Sequence, residues 1–292
     1  MTPQPAGEVM RVGASVLLQD AGRPGFAALG VSPSGAADRQ AHTRANRLVG
    51  NRDAAATLEV VLGGLMIRAQ AAMIVAVTGA ATRMQINGEP AAYAAPLRLR
   101  PGDLVELRPP DIGLRSYLAV AGGWEAPLTL GSRSTDTLAH LGPPPVVVGT
   151  ILSVGTSAAR TARATAVAAR PLASGTLTLE MLPGPRTNWL RNPARLMGPW
   201  MVSNQLDRVG VRLEGTPLRR ADSFADAELP SEGVVRGAVQ VPPSGLPVIF
   251  GPDHPVTGGY PVVGVLTRAA RDAVAQARPG QLIQVRGPES WS

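Results

Sequence analysis

Short apolar runs, broken by Gly, Pro, Asn and Asp, set the rhythm of the chain. Glu8 to Leu18 reads as a strand leading into a glycine-rich loop, Gln19 to Gly25, which continues through Gly30 to Asp38. The first half has one clear helical period. From Asp38 to Val49 the apolar positions Ala41, Ala45, Leu48 and Val49 fall at i, i+4, i+7 and i+8, with Asp38 in the first turn, Arg47 in the last and Gly50 just beyond. Strand-length runs follow at close spacing: Thr57 to Leu62, Leu65 to Arg68, Met73 to Thr78, Arg83 to Asn87, Leu97 to Arg100, Leu104 to Leu107 and Ser116 to Val120. Asn87-Gly88 is a hairpin turn signal. In the far half, Ala238 to Val241 and Leu246 to Phe250 read as strands joined by a Pro-Pro-Ser-Gly turn. A loop with Asp253, His254 and Thr257 comes next, closed by Gly258-Gly259 before Tyr260 and the run Val262 to Leu266. Paired glycines there imply positive φ or a backbone that something approaches closely. A second helix is expected over Arg268 to Ala277, stopped by Pro279-Gly280. Many short strands and few helices predict a mainly β chain, built as barrels or sandwiches.

The second half restarts the pattern of the first. Arg100 to Arg108 (RPGDLVELR) is answered by Arg278 to Arg286 (RPGQLIQVR), Val77 to Ala80 by Val256 to Gly259, and Val31-Ser32 with Asp38-Arg39 by Val202-Ser203 with Asp207-Arg208. The order is kept at an offset of about 170 to 180 residues, which predicts two similar β domains related by internal duplication. The expected boundaries are a first domain over 1–142, a connection over 143–174 rich in Ala, Thr, Arg, Pro and Gly, and a second domain over 175–292.

Composition narrows the classes. Hydrophobic residues make up 45% and charged residues 17% of 292, enough apolar surface for a sizeable core. No apolar run approaches the roughly 18 residues of a membrane helix, and the N-terminal MTPQPAGEVMRV has neither the basic nor the apolar region of a signal peptide. With no cysteine, disulfides and thiolate ligands are excluded, and a cytoplasmic location is expected. The net charge is +7, and every one of the 28 basic residues is arginine. Without lysine the chain can form no Schiff base, carries no Walker A lysine and cannot be biotinylated. The arginines are scattered and aromatics are only 3%, so neither nucleic acid nor membrane is an expected partner.

No GxSxG elbow marks a nucleophile. His42, His140 and His254 have no metal-ligand spacing, so no metal site is expected. His42, on the helix, reads as a surface or packing residue; for His254, in the Asp253 loop, a functional and a structural role are both open.

Four separated motifs then become recognisable: QDAGRPGFAALGVSPSGAADRQAHTRANRLVGN, LGSRST (Leu130 to Thr135), LDRVGVRLEG (Leu206 to Gly215) and GAVQVPPSGLPVIF…DHPVTGGYPVVGV. Together they resemble the allophanate hydrolase subunit 2 family, from about Gly7 to Arg286. That family takes in the Kip-type sporulation-kinase regulators and the C-type chain of 5-oxoprolinase, and is similar to half of the carboxyltransferase region of urea carboxylase. The resemblance implies cyclophilin-like β-barrel domains and work on a small amide or ureido substrate. It also implies a subunit 1 type (5-oxoprolinase B-like) partner and a possible third, 5-oxoprolinase A-like, chain. ATP would be needed by the complex, and biotin could arrive only on a separate carrier. The expected role is that of one subunit in an ATP-dependent 5-oxoprolinase, inactive alone. The alternatives are part of a biotin-dependent carboxyltransferase that acts on urea or a related amide, and a Kip-type regulatory binding protein.

Within those motifs Asp207, Asp253 and His254 are the candidate catalytic residues, since a carboxylate can accept a proton from an amide nitrogen or anchor it. Arg23, Arg133 and Arg208 are candidates to clamp an anion bidentately. Asp38, Gln240, Thr257, Gly258, Gly259 and Tyr260 complete the expected substrate-binding set. The competing expectation is that Asp207-Arg208 and Glu59-Arg212 are internal salt bridges that lock loops.

Overall fold

A computed structural model of the protein describes residues 4–155 and 172–288. It is mainly β, with two α-helices among the described residues, α1 (Arg39–Leu48) and α2 (Arg268–Val274). The chain divides into two compact units, one drawn from Met1–Arg23, Ser34–Asp136 and His140–Leu172, the other from Pro24–Pro33, Thr137–Ala139 and Ala173–Ser292. Two short excursions of the first half of the sequence thus belong to the second unit.

The first unit has two sheets. One runs in the order Ser15–Gln19, Thr57–Val61, Arg115–Val120, Met73–Gly79 and Leu97–Leu99, all antiparallel. The other is seven-stranded: Trp124–Glu125, Ile151–Val154, Gln4–Arg11, Leu65–Ala69, Leu104–Leu107, Met84–Ile86 and Glu89–Ala91. Their inner faces share one apolar core that includes Val9, Ile67, Val105, Leu58, Val75 and Leu118. The central strands of the five-stranded sheet are buried on both faces. Leu118 and Val120 point to that core, while Tyr117 and Ala119, the alternate residues, pack against Ala41, Ala45 and Leu48 of α1. This puts Glu59 and Tyr117, which are paired across the strands, on the helix side. Asp38, expected in the first turn, instead lies one residue before α1 and caps it by accepting from Ala41 N at 2.9 Å.

The second unit is a closed seven-stranded barrel in the order Leu177–Pro183, Val262–Leu266, Ala238–Gln240, Val248–Phe250, Gly210–Glu214, Trp200–Leu206 and Leu282–Arg286. Parallel pairing of Leu177 to Glu180 with Ile283 to Arg286 closes it, so no strand edge is left open. Leu179, Trp200, Leu213, Val239, Ile249, Val263 and Ile283 fill the interior, and α2 covers it with Ala270 and Val274.

The structure alters several expectations. The Glu8 to Leu18 run is two strands, Gln4–Arg11 and Ser15–Gln19, which join different sheets. In the expected connection, Ile151–Val154 is a strand of the first unit, paired with Gln4–Arg11 and with Trp124–Glu125; its residues 156–171 lie outside the described residues. Of the three repeats, the Arg-Pro-Gly one recurs bond for bond. Gly102 N donates to Ala69 O and Ala69 N to Asp103 O; Gly280 N donates to Val202 O and Val202 N to Gln281 O. Gly102 and Gly280 both sit at positive φ, 93° and 80°, which glycine adopts without strain. These bonds make Val202 the counterpart of Ala69, so the match of Val202 to Val31 is not the structural one. Val77 to Ala80 also differs from its partner: it ends a seven-residue strand, whereas Thr257–Gly258 is a two-residue strand paired with Glu232–Gly233.

His42 packs inside the first unit. Its Nδ1 lies 2.9 Å from Thr57 Oγ1 and its Nε2 3.4 Å from Asn46 Nδ2. Burial holds its pKa down to about 4, against the pull of Asp20, Asp53 and Glu59. The unfolded chain therefore binds this proton more readily than the native one, and stability falls as pH drops from 6.5 toward 4. The loss attributable to His42 is on the order of 3 kcal/mol. Urea denaturation at pH 7 and pH 4.5 should show it in the wild-type chain and a smaller loss in His42→Asn; equal losses in both would remove the assignment.

Candidate functional site

Of the second-unit residues singled out by sequence, Arg208 and Asp253 are spent on each other. Arg208 and Asp253 form a bidentate ion pair, Nε to Oδ2 at 2.8 Å and Nη2 to Oδ1 at 2.9 Å, with both side chains buried. Asp253 Oδ2 also accepts from Thr137 N at 2.9 Å and Thr137 Oγ1 at 2.8 Å, and Asp253 N donates to Arg208 O. A carboxylate with that many internal donors is committed to holding the surrounding loops. Asp207 is exposed at the hairpin tip between Trp200–Leu206 and Gly210–Glu214, where Oδ1 accepts from Val209 N and Gly210 N at 2.8 and 2.9 Å. The structure thus separates the two aspartates: one closes a turn at the surface, the other is sealed below it. His254 is buried, donates from Nδ1 to Pro255 O at 2.7 Å and lies against Phe250.

Nearby, Gln240 Nε2 donates to Tyr260 O at 2.8 Å. Neither Gly258 nor Gly259 adopts positive φ; close approach explains Gly258, since a Cβ there would lie 2.7 Å from Gln240 Nε2. Thr257 is exposed, as is Tyr260.

Two further buried networks organise the first unit. Asp20 Oδ1 accepts from Gly22 N (2.7 Å), Ser132 Oγ (2.6 Å) and Ser134 Oγ (2.6 Å), and Oδ2 from Arg133 N at 2.7 Å. Arg23 is buried beside it, bonded to Thr129 O and Ser134 O and 3.7 Å from Asp136. Arg23 therefore holds the LGSRST segment in place, not an external anion. On the α1 side, Glu59 Oε2 accepts from Tyr117 OH and Ala37 N at 2.8 Å each, and Tyr117 OH accepts from Asp38 N at 2.7 Å. Burial, and then the charges of Glu59 and Asp38, push the Tyr117 pKa well up, so the phenol keeps its proton and donates it to Glu59. The cation near Glu59 is Arg115, at 3.5 Å, and not Arg212, which is exposed; likewise Arg208 pairs with Asp253, not Asp207.

Arg133 lines an open cleft. The cleft, about 510 Å³, lies within the first unit and is walled by Gly50 to Arg52, Ala54 to Ala56, Gly122 to Glu125 and Arg133. Asn51 pins its two loops together: Nδ2 donates to Asn46 Oδ1 at 2.9 Å and Val120 O at 2.7 Å, and Oδ1 accepts from Gly122 N at 2.8 Å. Arg133 is set by its own amide on Asp20 and by Glu125, whose Oε2 accepts from both Nε (2.9 Å) and Nη2. Arg52 is exposed at the cleft, and its guanidinium has no partner among the described residues. Two arginines on a glycine- and alanine-lined wall suit a small anion. Sequence reasoning reached Arg133 but not Arg52, Asn51, Glu125 or Asp20; the signal for them was the pair Gly122-Gly123 and the Gly50-Asn51 step after the helix. Among the described residues no cluster of His, Asp and Glu has the makings of a metal site.

Comparison with known proteins follows the same outline. A family model described as the carboxyltransferase domain, subdomain A and B, matches residues 29–286. The C-type chain of the Escherichia coli K12 5-oxoprolinase is 35% identical over 94% of this chain and 89% of its own length. The solved structure of TTHA0988 matches with a TM-score of 0.88 at 33% identity, covering 98% of this chain. The Kluyveromyces lactis urea carboxylase structure matches with a TM-score of 0.90 at 26% identity over 98% of this chain. This chain spans 56% of the length of the former and 27% of the latter.

If Asp253 is a lock, removing it strands a buried arginine. Asp253→Ala should cost about 3–5 kcal/mol of stability, as breaking a buried pair does, whereas Asp207→Ala should cost about 1 kcal/mol. Urea denaturation checks both. An Asp253→Ala chain as stable as wild type would mean that the carboxylate is held for chemistry.

Proposed function

The chain belongs to the carboxyltransferase domain (subdomain A and B) family, and on that premise we propose that it is the C-type subunit of an ATP-dependent 5-oxoprolinase. The observation that carries this reading is the match to the C-type chain of the E. coli enzyme, which runs through 94% of this chain and 89% of that one. A B-type chain, and a third, A-type chain, would complete the enzyme. The reaction is hydrolysis of the lactam of 5-oxoproline to glutamate, with ATP used by the complex.

The buried carboxylates support a positioning role for this chain. Asp20, Glu59 and Asp253 are each buried and hydrogen-bonded within the chain, so none is presented to a substrate. The open groups are cationic, Arg52 and Arg133, and they lie on a cleft of a size suited to a small ligand. In this reading the chain binds and orients an anionic substrate, and the partners supply activation of the stable amide.

A second reading is supported by the fold of the urea carboxylase match, with its TM-score of 0.90. The chain would then serve a carboxyl transfer to urea or a related amide. Having no lysine, it would need biotin delivered on a separate carrier.

The test is ATP-dependent glutamate release from 5-oxoproline by the chain alone, by each pair and by the full set. Turnover should appear only with the full set. Turnover by the chain alone would contradict the subunit role, and a silent full set that instead carboxylates urea with a biotin carrier would favour the second reading.

A further inference from the structure

The Glu125–Arg133 pair is asymmetric in a way that the anion reading leaves unused. Arg133 directs both Nε and Nη2 to one oxygen, Glu125 Oε2. Among the described residues, Glu125 Oε1 and Arg133 Nη1 make no hydrogen bond. Both side chains are about a quarter exposed, 23% and 27%, and both line the cleft. The pair therefore leaves one acceptor and one donor unused at the cleft wall, the acceptor lying beside Gly155, where a Cβ would come within 2.6 Å of it. An amide held cis in a ring, or a ureido group, has the complement on a single edge: an N–H that donates and a C=O that accepts. Arg52, on the same wall and without a partner among the described residues, offers a second, separate fork for a carboxylate.

We propose that this cleft recognises a cis-lactam bearing a carboxylate, with Glu125 and Arg133 reading the lactam edge and Arg52 the carboxylate; the proposal rests on the oxoprolinase reading above and locates its substrate. The supporting frame is built for it. Asn51 joins the two loops through two hydrogen bonds, to Val120 O and from Gly122 N, and is tied to α1 by a third. Arg47 holds Asp53, next to Arg52, with bonds of 2.8 and 2.7 Å. Asp20, itself buried, fixes the Arg133 backbone. Groups fixed in this way are oriented before the ligand arrives, which lowers the entropic cost of binding. A site that hydrogen-bonds a substrate's polar groups discriminates strongly against analogues lacking one of them. The cleft should thus prefer the lactam acid to proline, which lacks the ring carbonyl, and to the unsubstituted lactam, which lacks the carboxylate.

The experiment is calorimetric titration of the full chain, alone and with its partners, using 5-oxoproline, 2-pyrrolidinone and proline as probes. The wild type should bind 5-oxoproline tightest. Arg52→Gln should weaken 5-oxoproline about tenfold or more, the share of one charge-assisted contact, and leave 2-pyrrolidinone unchanged. Glu125→Gln should weaken both lactams. Should Glu125→Gln lower the Tm, the exposed Arg52→Gln variant still decides. Affinity for 5-oxoproline that neither variant moves, proline bound as tightly as 5-oxoproline, or no saturable binding in either format would overturn the proposal. Glutamate release by the full set separates its fate from that of the subunit reading. Undiminished turnover by complexes carrying either variant would overturn the cleft assignment and leave the subunit role intact. Binding that follows the expected pattern beside a wild-type complex without turnover would support the cleft and remove that role.

Discussion

A carboxylate removed from water must find donors, and that requirement shapes this molecule more than any other. Asp253 is met by Arg208 and Thr137, Asp20 by two serines and two amides, and Glu59 by Tyr117 and an amide with Arg115 alongside. In each case at least one partner lies far away in sequence, so satisfying the charge also fixes a loop. The loops after Ser15–Gln19, before α1 and after Val248–Phe250 owe their courses to these contacts. Replacing one member leaves a buried charge without its counterpart, which is costlier than the net worth of the pair.

The same logic explains why the cleft stands apart. Glycine and alanine make up much of its wall, and Arg52 and part of the Glu125–Arg133 pair are left unused there. Arg133 belongs to both regimes. Its amide serves the Asp20 network, while its guanidinium keeps one nitrogen open beside Glu125. A rigid network thereby ends in a side chain that faces a ligand-sized space, which is how a preorganised site is built on a stable scaffold.

Much of the architecture was legible in the chain because it is written locally. The i, i+4 spacing and the Asp38 cap specify α1, Asn87-Gly88 takes positive φ at both residues as its hairpin requires, and the Arg-Pro-Gly repeat marks matching turns. What stayed hidden depends on distance. The break between Gln4–Arg11 and Ser15–Gln19 follows from their pairing with different sheets, and Ile151–Val154 is a strand because a distant edge accepts it. Ion-pair partners were misread for the same reason: Asp207-Arg208 and Glu59-Arg212 are plausible in a linear reading, yet Arg208 finds Asp253 and Glu59 finds Arg115. Motif residues such as Asp253 and Arg23 stood out because structural locks and ligand sites use the same residue types. Arg52 and Glu125 were marked only by the glycines of their loops, since a free arginine and a half-used carboxylate are ordinary in sequence and become informative only where two loops meet.

Hydrogen–deuterium exchange of the full chain with and without saturating 5-oxoproline, the partner chains present in both, tests this division most directly. Ligand-dependent protection should concentrate in Gly50 to Ala56 and Gly122 to Glu125, with the Asp253 to Tyr260 loop already protected and unchanged. Protection that appears at Asp207 and across Asp253 to Tyr260, with none in the two cleft loops, would contradict the account.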